Sequence, residues 1–447
     1  MKKLFYLMAI SFMMILASCS DDDDTATALM NVKVKLTLPA GVENVSLKDV
    51  PVTFTSGEII YDAKTAETGV AEFTVPAGVY TAAATSTQVI EGNAYYTLNA
   101  VKENITVNTA WETEKPVVLE MVASKASQVI IKEIYTGGTT NPETQKTENT
   151  DHYITLYNNS PEAVSLKNLA IGNTGGNAYA PTTGFVQNGV LTYENEDWIP
   201  VSDGTFYFPE ELSIEPYTDV VVVLRSAIDH TQTNKASVDL SNADYVCYDP
   251  QSGYADPTAY KAPSSKIPSN HYLKAAKWGV MPFWFYSDNT PAFFIYQAEG
   301  KTVSEYFADA SLDILPPLVP VPNFKAKKMS RSWILDAVDT YGLDFIDMNY
   351  KRMTTELDAG YVFYTLNKGY SIYRNVDKAA TEAIPGNSGK LVYNYALGTQ
   401  DIENGSTDKS GIDAEASMKN GAKIVYMDTN NSTNDFHLRK ECAQRAK

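Results

Sequence analysis

Only four histidines occur in the 447 residues: His152, His230, His271 and His437. No two lie at metal-ligand spacing, which removes most zinc chemistry. Cysteine is rarer still, at Cys19, Cys247 and Cys442. For the last two, a disulfide formed outside the cytoplasm and two separate buried thiols remain open alternatives. Basic residues number 36 against 54 acidic ones, a formal net charge of −18. No basic cluster is available to neutralise phosphates, so nucleic acid is not an expected partner. Docking on an anionic membrane face is disfavoured for the same reason. The apolar stretch from Leu4 to Leu16 is too short for a permanent bilayer span, which needs about 20 apolar residues. A catalytic set is missing as well. The segment Gly386 to Lys390 (GNSGK) lacks the length of a phosphate-binding loop. As a nucleophile loop it lacks an accompanying base and orienting acid. The chain is therefore not expected to be an enzyme.

What is present begins at the amino terminus. Lys2 and Lys3 precede the apolar stretch, and small residues follow it. This is the pattern of a secretory signal, here residues 1–18. The string Leu16-Ala17-Ser18-Cys19 puts a cysteine directly after small residues, which lipoprotein processing requires. Acyl chains on that residue would each contribute about 0.8 kcal/mol per buried methylene. The string resembles the lipobox of bacterial lipoproteins, with Cys19 as the lipidation site. Ser20, Asp21, Asp22 and Asp23, followed by Asp24, resemble the surface-export signal of Bacteroidota lipoproteins. A run of like charges also stays extended in water, so residues 19–28 read as a lipidated acidic tether. The resemblance implies an outer-membrane, lipid-anchored protein facing the cell surface.

Beyond the tether the chain is long enough for two or three domains. Residues 29–122 alternate in the manner of half-buried strands: Val32, Val34, Leu36 and Leu38 against Lys33, Lys35 and Thr37. Short strands punctuated by Thr68-Gly69 and Pro76-Ala77-Gly78 predict a β-sandwich. The stretch from Asp49 to Ala84 resembles the carboxypeptidase-regulatory or prealbumin-like module, which implies a spacer or stability unit.

Residues 126–447 open on Gln128 to Tyr135 (QVIIKEIY), a strand with both faces partly apolar. A second strand, Tyr153 to Tyr157, turns at Asn158-Asn159-Ser160-Pro161. Together with Ser371 to Asn375 (SIYRN) and Asp428 to Phe436 (DTNNSTNDF), these segments resemble a lamin-tail domain. The whole arrangement resembles an uncharacterised Bacteroidota surface-lipoprotein family that joins the two modules. The implied fold class is mainly β: tandem immunoglobulin-like β-sandwiches, the second with long loop insertions and a short helix. Ser332 to Tyr341 is the expected helix, with Asp336 and Asp339 one turn apart on its solvated face. Residues 174–210 and 245–280 read as loops rich in Gly, Asn, Pro, Ser and Tyr. Loops of that length inside a domain are commonly functional.

Two candidate sites follow. Residues 281–296 read as two aromatic strands around Ser287 to Thr290. The ligand-binding candidates are His271, Tyr272, Trp278, Trp284, Tyr286 and Tyr296, as a stacking platform. The competing reading is that half of these rings fill the core. Asp428, Asn430, Ser432 and Asn434 alternate as oxygen donors suited to calcium. The glycine turn and distal glutamate of the known loop are absent, and a turn shaped by side chain-to-backbone hydrogen bonds competes. The expected function is ligand binding at the cell surface, as accessory to a TonB-dependent nutrient transporter. That partner is implied by the resemblance alone. A structural or adhesive surface protein is the alternative, and a hydrolase with convergent carboxylates the third reading.

Overall fold

The computed structural model describes residues 28–39, 42, 45–57, 59–90, 94–176, 178, 184–187, 189–317, 325–398 and 407–445. The signal segment, Cys19 and Ser20 to Asp23 lie outside the described residues. The chain divides into two compact units: residues up to Ser86 with Leu98–Ala123, and Thr87–Thr97 with Ser124–Lys447.

Over residues 29–126 the period-2 pattern becomes two small sheets. Strand Leu29–Thr37 buries Val32, Val34 and Leu36 and turns Lys33 outward to meet Glu114 at 2.6 Å. It lies between Val70–Pro76, antiparallel, and Val117–Glu120, parallel. The second sheet runs in the order Ile59–Lys64, Pro51–Ser56, Gly78–Ile90, Ala94–Val107 and Val122–Ala126. Phe54 stacks on Tyr80 at 4.5 Å and on Phe73 at 5.3 Å at the centre of the core.

The second unit is built on one sheet of twelve strands. Its spatial order is Val362–Tyr364, Ile334–Gly342, Ala292–Gln297, Leu169–Asn173, Gly204–Tyr207, Tyr272–Lys277, Tyr245–Cys247, Asp219–Val223, Tyr153–Asn158, Val129–Tyr135, Ser371–Arg374 and Phe436–Arg439. The sheet curls over, so that Ile334–Gly342 packs on Val129–Tyr135 and Val362–Tyr364 meets Phe436–Arg439. Every residue of Val129–Tyr135 is buried, the apolar residues of each face with the two charged ones between them. Lys132 and Glu133 within it are buried with partners. Lys132 Nζ meets Asp219 at 2.5 Å and Glu415 at 2.9 Å, while Glu133 accepts from Ser371, Tyr153 and the Ala443 amide.

Three local expectations are corrected. The helix expected at Ser332 to Tyr341 is a single 3-10 turn, Arg331–Trp333, followed by strand Ile334–Gly342. The β-branched residues Ile334, Val338 and Thr340 favour the pleated form. The supposed loops 174–210 and 245–280 supply strands to the large sheet, Gly204–Tyr207, Tyr245–Cys247 and Tyr272–Lys277 among them. Of the two aromatic strands expected in 281–296, only Ala292–Gln297 forms. Cys247 and Cys442 are both buried and both free.

Candidate ligand-binding cleft

The stretch Tyr361-Val362-Phe363-Tyr364 alternates, burying Val362 and Tyr364 and leaving Tyr361 and Phe363 half-exposed. Tyr361 stacks face to face on Tyr341, with centroids 3.9 Å apart and planes within 9°. Phe363 meets the edge of Tyr361 at 5.3 Å. Tyr361 and Phe363 border a cleft of about 360 Å³ whose lining includes Asn375, Asp408, Lys409, Met427, Asn434 and Phe436. Thr433 fastens the cleft on that side: its Oγ1 accepts from the Tyr361 amide at 3.1 Å and donates to the Tyr361 carbonyl at 2.9 Å.

The polar side chains deeper in the cleft are held by fixed partners. Asn375 donates to the Asn434 carbonyl at 2.7 Å and its Oδ1 contacts His437 Nδ1 at 2.7 Å. An amide oxygen only accepts, so Nδ1 carries the proton and Nε2 accepts from the Tyr395 hydroxyl. Burial, then Arg439, holds His437 down to about 3, leaving it neutral. Asp408 accepts from the amides of Val376 and Ser410, and burial pushes its carboxyl up. Asn434 and Lys409 are exposed at the mouth.

Beneath Phe436 sits the guanidinium of Arg374, 4.3 Å from the ring centroid and fully buried. It donates to the carbonyls of Ile131 and Met427 at 2.7 and 2.8 Å. It pairs with Asp336, and lies 3.4 Å from Asp428 and 3.9 Å from Asp435. Burial pushes all three carboxyls up, against the pull of Arg374, because one cation is shared among them. Asp339 sits in a second buried network, accepting from Arg352 Nη2 at 2.8 Å and from the amides of Arg352 and Met353. Neither aspartate solvates a helix; each anchors the curled sheet from within.

The ligand-platform candidates do not converge. Trp284 and Tyr286 lie in the main core, where Trp284 Nε1 donates to the Gly204 carbonyl at 3.0 Å and Tyr286 hydroxyl meets His152 at 2.9 Å. Tyr296 is in another core cluster and donates to Thr205. These three rings are closed to any ligand, because they supply core volume. His271 stacks on Tyr245 at 4.4 Å, with Nδ1 at the Asp244 carbonyl. Tyr272 and Trp278 flank the two ends of strand Tyr272–Lys277, roughly 20 Å apart at strand rise. Trp278 packs at 5.6 Å from Phe307.

The calcium candidates are also separated by function. Asp428 faces Arg374, and Ser432 donates to Asp358 at 2.5 Å. Asn430 takes a left-handed backbone, φ 52°, and Asn434 points its carbonyl to Asn375. Ser432–Asp435 is a short helix capped by the Asn431 side chain. Among the described residues no group of three or more His, Cys, Asp or Glu is placed to hold a metal ion. The cleft itself was missed in the sequence, although Tyr361 and Phe363 at period 2 signalled a strand with an aromatic outer face.

A family model described as "Protein of unknown function (DUF4876)" matches residues 215–408. That span includes Tyr361, Phe363, Asn375 and Asp408, and stops short of the closing segment with Met427 and Phe436. The crystal structure of a DUF4876 family protein from Bacteroides thetaiotaomicron VPI-5482 is similar over 91% of this chain and 94% of that one. Its TM-score is 0.51 and its sequence identity 21%, a likeness of fold. No curated protein matches the chain.

Proposed function

We propose that this chain is a lipid-anchored outer-membrane protein, facing the cell surface, that captures a small ligand and serves a TonB-dependent transporter. The address rests on Leu16-Ala17-Ser18-Cys19 and the acidic run after it. One observation carries the binding half: the 360 Å³ cleft with an aromatic border and a polar mouth. Such a surface suits a ligand with one flat apolar face and hydrogen-bonding edges. The regulatory-like reading of residues 29–122 and the lamin-tail-like reading of residues 126–447 belong to the same proposal. A purely adhesive role would need no concave site, and a hydrolase would need a reacting pair of groups. In the cleft Asp408 and Asn375 are instead occupied by backbone and side-chain partners.

The test joins anchor, partner and cleft. Mass spectrometry of the mature protein is expected to find acyl chains on Cys19. Pull-down through that anchor is expected to recover a transporter. A gene deletion is expected to cost growth on one nutrient among iron sources, vitamins, glycans and peptides, with Tyr361→Ala/Phe363→Ala failing to restore it. An unmodified Cys19, or full restoration by the cleft variant, would overturn the corresponding half.

A further inference from the structure

Strand Ala94–Val107, in the first unit from Leu98 on, buries Ile105 and Val107 and turns Lys102, Asn104 and Thr106 outward in alternation. The chain then turns, with the Trp111 amide donating to the Asn108 carbonyl and the Ala110 amide to the Asn108 side chain, each at 2.9 Å. The turn brings Trp111, Glu112, Lys115 and Pro116 alongside Lys102, Asn104 and Thr106. Together they line an open groove of about 470 Å³. Trp111 is half-buried against the core of this unit, which fixes its ring. Its indole N–H has no acceptor among the described residues, an unusual state for a buried donor. Among the described residues Lys102 reaches only the Val118 carbonyl, at 3.4 Å. Among the described residues no ion pair includes Lys102, Lys115 or Glu112, whereas nearby Lys33 is paired with Glu114.

We propose that this groove binds a carbohydrate chain, with one pyranose ring against Trp111 and its hydroxyls met by Lys102, Asn104, Thr106 and Glu112. The chemistry fits on three counts. A pyranose has an apolar C–H face that an indole covers well. Its hydroxyls both donate and accept, which matches a rim of amide, hydroxyl, ammonium and carboxylate groups. The groove is open, so a polymer can enter and leave along it rather than being enclosed. A peptide in extended form would look for a free sheet edge, whereas this groove is formed by outward side chains. Nucleic acid would face a chain of net charge −18. The proposal is independent of the cleft in the second unit.

The five tryptophans, Trp111, Trp198, Trp278, Trp284 and Trp333, make the test direct, because only Trp111 belongs to the first unit. The full mature chain is labelled with 5-fluorotryptophan, and the Trp111 ¹⁹F signal is assigned with Trp111→Phe. Cellohexaose, mannohexaose, hexagalacturonate and a chondroitin hexasaccharide are titrated in turn. The expected result is a saturable shift of the Trp111 signal alone with at least one of them. Thr106→Ala and Glu112→Ala are each expected to weaken that binding at least threefold with an unchanged melting temperature. Tyr361→Ala/Phe363→Ala is expected to leave it unaltered. The proposal is overturned if no oligosaccharide at 10 mM moves the Trp111 signal, or if both groove variants bind as the native chain does.

Discussion

Arg374 offers the sharpest test of how the second unit is held together. Its guanidinium is fully buried and faces Asp336, Asp428 and Asp435 while donating to two carbonyls. Arg374→Met keeps the side-chain volume roughly but removes the cation. Breaking a buried ion pair costs about 3–5 kcal/mol, because the remaining charge is left uncompensated. The carbonyls of Ile131 and Met427 also lose a donor, at about 1–3 kcal/mol for each one left unsatisfied. These contributions share one site and do not simply add, so a loss of roughly 5 kcal/mol at pH 7.5 is expected. At roughly 2–4 °C per kcal/mol for a large domain, the melting temperature of this unit falls by about 10–20 °C.

Acid reverses part of that loss. Burial pushes the three carboxyls up, and losing Arg374 raises them further. Near pH 5 they take up protons in the variant, the uncompensated charge disappears, and the gap to the native protein narrows. Asp336→Asn added to Arg374→Met is expected to recover about 1–3 kcal/mol at pH 7.5, the range of coupling between contacting groups. The assay is calorimetry of both variants and the native chain at pH 7.5 and 5.0. A variant within 3 °C of native at pH 7.5, or a loss equal at both pH values, would refute the account.

Trp284→Ala should cost about 3–5 kcal/mol by denaturant unfolding, the usual range for a buried tryptophan. Phe285→Ser, at a ring 40% exposed, should stay within roughly 0.5 kcal/mol; equal effects would mean the core assignment is wrong. In the native chain, burial raises Asp151, Asp288 and Asp358 to about 6. Their stabilisation is complete below the unfolded value of about 3.9 and is lost as pH rises through 6. Glu148 and Glu415 go the other way, held at about 2 despite burial by His230 and Lys132. Their contribution is present above about 4.3 and is lost as pH falls through 2. The melting temperature should therefore peak near pH 4–5, and a monotonic rise to pH 8 would contradict the carboxyl environments. Burial also raises the thiols of Cys247 and Cys442, the latter to about 12. A thiol reagent should therefore label Cys247 and Cys442 only after unfolding, and rapid labelling of the native protein would show that one is accessible.

The mainly β class was legible because period 2 is local. Val32, Val34 and Leu36 fall inward as the pattern demands, and Val129 to Tyr135, apolar on part of each face, is buried on both. What the local pattern could not carry was closure. Strand Ile334–Gly342 pairs with Ala292–Gln297 and packs on Val129–Tyr135, about two hundred residues earlier. Nothing within a window of ten residues records that neighbour. Asp336 and Asp339 were therefore read by their spacing, three apart, which suits a helix face. Their true partners, Arg374 and Arg352, are set by the return of the chain.

In the aromatic segment, density of rings pointed to a surface where the chain builds core. Residues 283–286 hold four rings in a row, and a row of rings says nothing of which side the core is on. Here the chain passes without strand pairing, so alternate rings are sorted by what lies beneath them. Trp284 finds the Gly204 carbonyl and Tyr286 finds His152, whereas Phe285 remains outside. The cleft rings are fewer but better placed. Tyr361 and Phe363 alternate with Val362 and Tyr364, whose burial fixes which face turns out. Two rings with a defined outward face leave a surface open to solvent; of the four without one, Trp284 and Tyr286 go to the core and Phe285 stays outside. A surface search of this chain should therefore weight alternation above aromatic density, and the same rule selects Trp111 beside the outward row Lys102, Asn104 and Thr106.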